Sequence, residues 1–238
     1  MLKNRFYTEG SLFNKKMEMK NLLCLFGLFL TVNLTAQTTH QQAYWTRFFV
    51  KVKLDSNWSW QFEADERRLI LPDKQLQFIA HTHLHRKLGK YTEGSLGATF
   101  SSVRQGLIDV NEYRLFQEFY IYQNLTPKLR LSHRFRPEQR WFQNVENGAI
   151  VDGFNFKFRL RYRPQLELKV NKKWSFRTNT EIMYHQDKYD QFRFFMATEY
   201  RFNPHLSMEM GYLKVNQQRS SGGFFDRDNL RTTFYFNL

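Results

Sequence analysis

Arginines recur at two-residue spacing in this chain, in a pattern that could hold anions. Arg134, Arg136 and Arg140 form one series and Arg159, Arg161 and Arg163 a second, with Arg193, Arg201, Arg227 and Arg231 further on. Acids keep the same rhythm at Glu63, Asp65, Glu138, Glu167, Glu181, Glu199 and Glu209. Side chains two apart on a strand share a face. Arg159, Arg161 and Arg163 would then stand about 6.6–7 Å apart, within a Debye length of about 8 Å at physiological salt. One chemistry this permits is a cationic channel or pocket for an anionic or polar solute, since rings of Arg and Lys make anion-selective pores. The other is a filled interior in which Arg–carboxylate pairs satisfy one another. Glu138, Glu167 and Glu181 could cancel the field of the Arg rows.

His81, His83 and His85 lie at the same two-residue spacing. Imidazoles so placed can reach one zinc, copper or nickel ion, but a further ligand from a neighbouring strand is needed and no sequence feature nominates it. A polar lining that uses His, or a cluster that titrates near neutrality, fits the same residues, so no metal is assigned. Nucleophilic catalysis finds less support. Ser132 and His133 are adjacent and point to opposite faces of a strand. His185 and Asp187 have a suitable phase but no serine beside them. No Gly-x-Ser-x-Gly turn, phosphate loop or zinc-protease helix occurs. No catalytic residue and no cofactor is expected, and a lipid-modifying enzyme is the weakest of the readings.

Strands must carry these residues. Residues 153–170 read GFNFKFRLRYRPQLELKV: Phe154, Phe156, Phe158, Leu160, Tyr162, Pro164, Leu166, Leu168 and Val170 alternate with polar and mostly basic residues. Soluble strands run about 5–6 residues, whereas a strand that crosses a bilayer needs about 9–11 with one face to lipid. The same alternation recurs from Trp58 to the last residue. Turn residues punctuate it at 55–57, 89–90, 126–128, 171–173 and 203–205, and longer connections are expected near 69–75, 104–111, 143–152, 186–190 and 216–226. The fold class is all-β, a closed antiparallel transmembrane barrel. Eleven strands can be traced, and because bacterial single-chain barrels are even-numbered, twelve are expected, with ten as the alternative. The twelfth would be a short strand at 38–44. A soluble barrel or sandwich with its apolar face inward is the competing architecture.

Composition agrees. The 238 residues are 42% hydrophobic yet have a negative mean hydropathy, which excludes a helical membrane protein, and 25 Phe and 12 Tyr suit the aromatic girdles of a barrel. Trp45, Trp58, Trp60, Trp141 and Trp174 are candidate belt anchors. Residues 1–36 are expected to be an N-terminal extension and signal peptide: Lys15, Lys16 and Lys20 precede an apolar stretch from Leu22 to Val32 and a cleavage region ending at Ala36. A single barrel domain then covers 37–238. The one cysteine, Cys24, lies in the signal, so disulfides are excluded from the mature chain. Removing five basic and two acidic residues with it, from 36 and 22, leaves a net charge of +11.

His133-Arg134-Phe135-Arg136-Pro137-Glu138-Gln139-Arg140-Trp141-Phe142, together with Glu63 to Arg68, Phe158 to Arg163 and Asn203…Gly211-Tyr212, resembles a family of uncharacterised bacterial outer-membrane β-barrels, a domain of unknown function. The resemblance covers most of residues 43–238 and implies fold and location, with no reaction and no established site. The expected function is an outer-membrane channel or binding barrel with an Arg-rich lumen. The alternative is a structural or assembly barrel plugged by its own salt bridges. Outer-membrane lipid, the barrel-assembly machinery acting on the alternating strand that ends at Leu238, and a small anionic solute are the expected partners; nucleic acid is not. N-terminal sequencing of the purified protein should begin near Gln37, with the protein in the outer-membrane fraction. Recovery of the mature chain as soluble periplasmic protein would overturn that reading.

Overall fold

A computed structural model describes residues 38–186, 188–218 and 223–238. The segment expected to be a signal peptide, Asp187 and most of the Arg219–Gly223 loop lie outside the described residues. The described chain forms a barrel of eleven strands: β1 (Thr38–Lys53), β2 (Trp58–Leu69), β3 (Lys74–Lys87), β4 (Thr92–Gln105), β5 (Ile108–Asn124), β6 (Leu129–Glu146), β7 (Ala149–Lys169), β8 (Trp174–His185), β9 (Lys188–Arg201), β10 (Leu206–Gln218) and β11 (Phe224–Asn237). Each strand pairs antiparallel with the next, and β1 closes on β11.

The strand count differs from the expected twelve or ten. Residues 38–44 do not form a separate strand but are the first half of the 16-residue β1. In an up-and-down meander an odd count leaves the first and last strands running the same way, so closure must be parallel. The seam runs from Thr38 opposite Phe224 to Lys51 opposite Asn237. Phe48 stacks on Phe234 at 5.5 Å on its outer face, Phe49 meets Tyr235 edge-on at 5.2 Å on its inner face, and Lys53 N donates to Leu238 O at 3.0 Å.

All five connections at the C-terminal end of the barrel have four residues. Each opens with an apolar residue and then Asp55, Gly89, Thr126, Asn171 or Asn203, whose backbone N–H donates across the turn to the residue that starts the next strand. In four of them the second residue also accepts two backbone N–H donors through its side chain, as Asn171 Oδ1 does from Lys173 at 2.8 Å and Trp174 at 2.9 Å. These are side-chain-mimicked turns. Two such donors hold the exposed Asp55 carboxyl below its usual pKa. At the opposite end long loops were expected, yet β4–β5 and β6–β7 are joined by two residues each. The Asn147-Gly148 pair has φ of 51° and 78°, the left-handed geometry that closes a two-residue hairpin. Residues read as loops are there strand instead, because the ladder continues to Glu146 opposite Ala149. Alternation loses its regularity around Gln143/Asn144, where a bulge shifts the register.

Phase decides which face is which. Phe156 and Leu160 are about half exposed on the outside, while Arg159 and Arg161, in the opposite phase of the same strand, are 6% and 9% exposed within. Apolar residues cover the outer wall and polar ones fill the interior, the inverse of a soluble barrel. There are exceptions. Trp45 was a candidate belt anchor but is 3% exposed inside the barrel, in a cluster with Phe195, Ala197, Leu213 and Val215 from β9 and β10.

β4 turns small residues inward at Ser95, Gly97, Thr99 and Ser101. Gly97 permits a close approach that no other residue would: a Cβ there would stand 2.2 Å from Phe116 Cζ and 2.7 Å from the Thr82 carbonyl oxygen. The Phe116 ring instead lies across β4 and meets His83 edge-on at 4.9 Å. Gly97→Val is expected to destabilise the folded barrel by about 1–3 kcal/mol through overpacking, read as a lower urea midpoint of the heat-modifiable folded form.

Candidate functional site

The inward residues of β5 to β9 form one connected charge network. Its centre is Glu138 on β6, with essentially no exposure. Arg159 Nε donates to Glu138 Oε2 at 2.7 Å, Arg161 Nη1 donates to Oε1 at 2.7 Å, and Arg136 stands 3.6 Å away. Register explains the convergence: Glu138 is directly opposite Arg159, and Arg136 opposite Arg161. Arg161 reaches from β7 to Glu181 on the adjacent β8, donating from Nη2 at 2.9 Å. Glu181 also takes Arg134 and lies 3.6 Å from Arg193. Arg134 and Arg136 both donate to Glu118 Oε1 on β5, at 3.2 and 2.6 Å. Arg140 pairs with Glu112, which also binds Arg114, and donates to His185 Nε2 at 2.7 Å. A guanidinium offers five donors in a rigid fork, so it can bridge carboxylates on different strands.

The remaining expected lumen residues are placed differently. Arg163 lines the lumen but has no ion pair among the described residues, and its Nε is buried without a hydrogen-bond partner. Glu167 pairs with Arg130 at 2.7 Å near the four-residue turns. Arg201 is exposed at that same end, in the wall of a separate cavity with Lys128, Lys169, Lys172 and Lys173. His81, His83 and His85 are all buried on the inner face of β3. Ser132 and His133 diverge as their adjacency requires: Ser132 Oγ donates to the Gln165 carbonyl, and His133 Nδ1 lies 2.8 Å from the Tyr162 hydroxyl. Glu112, Arg114 and Glu118 were missed by the sequence reading. Their signal was available in Glu112-x-Arg114-x-Phe116-x-Glu118, an alternation like that of the Arg rows.

The opposite wall is partly aromatic. The Arg67 guanidinium sits 3.9 Å from the Trp45 ring centre, and that of Arg231 3.5 Å from Phe195. Such stacking holds a cation against an apolar surface in addition to its carboxylate, which for Arg67 is Asp65 at 3.1 Å. Arg47 Nε also donates to Asp65 at 2.6 Å, and Arg231 pairs with Glu209 at 3.0 Å.

Between the walls is a cavity of about 1110 Å³. Fourteen Arg and two Lys line it, against Glu63, Glu112, Glu181 and Asp190. The other neutralising carboxylates, Asp65, Glu118, Glu138 and Glu209, are at most 4% exposed and lie in the wall behind the guanidiniums. Towards the four-residue turns a second cavity of about 510 Å³ is lined by Glu199. Arg177, which lines the larger cavity, pairs with Glu199 at 3.0 Å and also with Glu209, so this cluster stands between the two.

Residues 42–226 match the family model described as a protein of unknown function, DUF2490, and the chain belongs to that family. No curated protein matches the sequence. Among solved structures, the NanC porin in its rhombohedral crystal form is similar with a TM-score of 0.50 at 13% identity, over 73% of this chain and 85% of that one. The KdgM porin gives a TM-score of 0.45 at 12% identity, over 73% of this chain and 89% of that one. The likeness to the NanC porin makes the fold a porin-like barrel.

The network makes unequal demands on its members. Glu138→Gln leaves three guanidiniums without their shared counter-charge and is expected to cost about 3–5 kcal/mol, the range for breaking a buried ion pair. Arg163→Gln strands no carboxylate and should stay within about 1 kcal/mol. Urea unfolding of both variants in lipid vesicles measures the difference; equal losses would contradict the central role of Glu138.

Proposed function

We propose that this barrel resides in a bacterial outer membrane and acts as a small channel or binding barrel whose cationic lumen takes an anionic or polar solute. The observation that carries the reading is the excess of cations around the large cavity: fourteen Arg and two Lys line it against four carboxylates, and four further carboxylates lie behind the guanidiniums. A solute entering the cavity would meet donors before acceptors. Arg163 and Arg227 line the cavity with no carboxylate partner among the described residues, so oxygen acceptors of a solute would find guanidinium N–H groups to accept from. The apolar outer wall and the porin-like fold support the membrane setting. A helix is not needed to cross a bilayer, because a closed barrel satisfies its backbone through inter-strand bonds. The exterior would contact outer-membrane lipid, and β11, which closes the barrel, is the strand proposed to engage the assembly machinery.

A second reading has its own observation. The Arg177–Glu199–Glu209 cluster between the two cavities would make the barrel a plugged, structural one if it never parts. A lipid-modifying enzyme gains no such support.

Ion selectivity in planar bilayers separates the two main readings. The wild type should conduct and prefer anions under a salt gradient. The Arg163→Gln/Arg227→Gln double variant should lose part of that preference while folding normally, because neither arginine is paired to a carboxylate among the described residues. A conducting wild type that prefers cations would overturn the anion channel. Absence of conductance from correctly folded protein would favour the plugged barrel.

A further inference from the structure

We propose that His83, His85 and Glu118 form a binding site for one divalent transition-metal ion of the zinc class on the inner wall of the barrel. One donor atom from each of the three lies within 4.8 Å of the others. His83 and His85 stand two apart on β3, so both imidazoles face inward, with rings 5.5 Å apart and nearly parallel at 14°. Glu118 comes from β5, two strands away. It reaches them because β4 places only small residues between: Ser95 is opposite both His85 and Glu118, and Gly97 is opposite His83.

The nitrogens are free to bind. His83 Nδ1, His83 Nε2 and His85 Nε2 are buried with no hydrogen-bond partner, and both rings are 3% exposed. Buried polar atoms are nearly always satisfied, and three orphans on two adjacent imidazoles point to a ligand. Supporting contacts are already set. His85 Nδ1 lies 2.5 Å from Glu93 Oε1, which directs Nε2 inward, and Ser95 Oγ donates to Glu118 Oε2 at 2.8 Å. A carboxylate behind a ligating histidine is the usual means of orienting it. His81 is left out because the set of donor atoms within 4.8 Å of one another comprises His83, His85 and Glu118 only.

Charge is consistent with a cation. Glu63 lies 3.6 Å from His83 Nε2, and Glu118 lies 3.5 Å from His83 Nδ1, so carboxylates stand on both sides of the ring. The nearby Arg134 and Arg136 guanidiniums hold the other Glu118 oxygen and are themselves shared with Glu181 and Glu138. Two imidazoles and one carboxylate suit zinc, copper or nickel better than magnesium or calcium. They also match a three-ligand zinc set with an open fourth position, here towards the cavity that His83 lines. Binding at about 2.0–2.2 Å per ligand requires the donors to draw closer than they stand.

The test uses the full chain refolded in detergent and stripped with a chelator. Titration with Zn²⁺ by calorimetry should give one ion per barrel, and Co²⁺ should produce the visible absorption of a low-coordinate site. His83→Gln and His85→Gln should each weaken binding at least about tenfold, and His81→Gln should not. Zinc-edge X-ray absorption of the loaded wild type should show two imidazoles among the ligands, a readout that needs no variant to fold. Absence of saturable Zn²⁺ or Co²⁺ binding by the wild type, wild-type affinity in folded His85→Gln, or a zinc ligand shell without imidazole would overturn the site. The outcome is independent of whether the barrel conducts.

Discussion

Burial of the Glu138 carboxylate among Arg136, Arg159 and Arg161 is the interaction on which the interior depends. Each of these groups is withdrawn from bulk water, and an unpaired charge there would be costly by several kcal/mol. Sharing solves the problem: one carboxylate serves three guanidiniums, and each guanidinium reaches a second acid on another strand. Glu118, Glu138 and Glu181 thereby link β5, β6, β7 and β8 across the lumen as well as along the ladders. Coupled in this way, the charges position one another, and the cavity inherits its sign from whichever members face it.

Closure is the second constraint. A barrel has no free edge, and here an odd number of strands achieves it through one parallel seam. The seam carries aromatic contacts on both faces, which joins the two ends of the described barrel through side chains as well as backbone. Uniform four-residue turns hold one rim to a common height, while β6 and β7, with 18 and 21 residues, extend furthest towards the other. The interior is correspondingly asymmetric: a charged wall from β5 to β8 faces a partly aromatic wall from β1, β9 and β10, where arginines stack on rings.

This asymmetry gives the proposed lumen two kinds of surface. Paired guanidiniums offer directed hydrogen bonds, and the aromatic wall around Trp45 and Phe195 offers dispersion contacts. The Arg177 cluster divides the space along the barrel, and the small-residue face of β4 lets side chains of β3 and β5 meet across it, with the Phe116 ring seated over Gly97.

Alternation alone determined the all-β class, the inward phase of the Arg rows and the outward phase of Phe156 and Leu160, because side-chain direction on a strand is a local property of the backbone. The four-residue turns were legible for the same reason, since Asn, Asp, Gly and Pro act within a few residues. Tertiary structure decided what depends on register between strands and on closure. Eleven strands could be traced in the chain, but only closure shows that β1 meets β11 in parallel and that no twelfth strand is needed. The hairpin at Asn147-Gly148 replaced an expected loop because β6 and β7 keep pairing after their alternation falters. Trp45 lay in phase with the interior, yet its apolar character suggested the belt; stacking by Arg67 makes the inner position favourable. Glu118 as partner to His83 and His85 could not be read from spacing at all. Those residues are more than thirty positions apart, and only pairing across β4, with nothing larger than Ser95 and Gly97 between, brings them together.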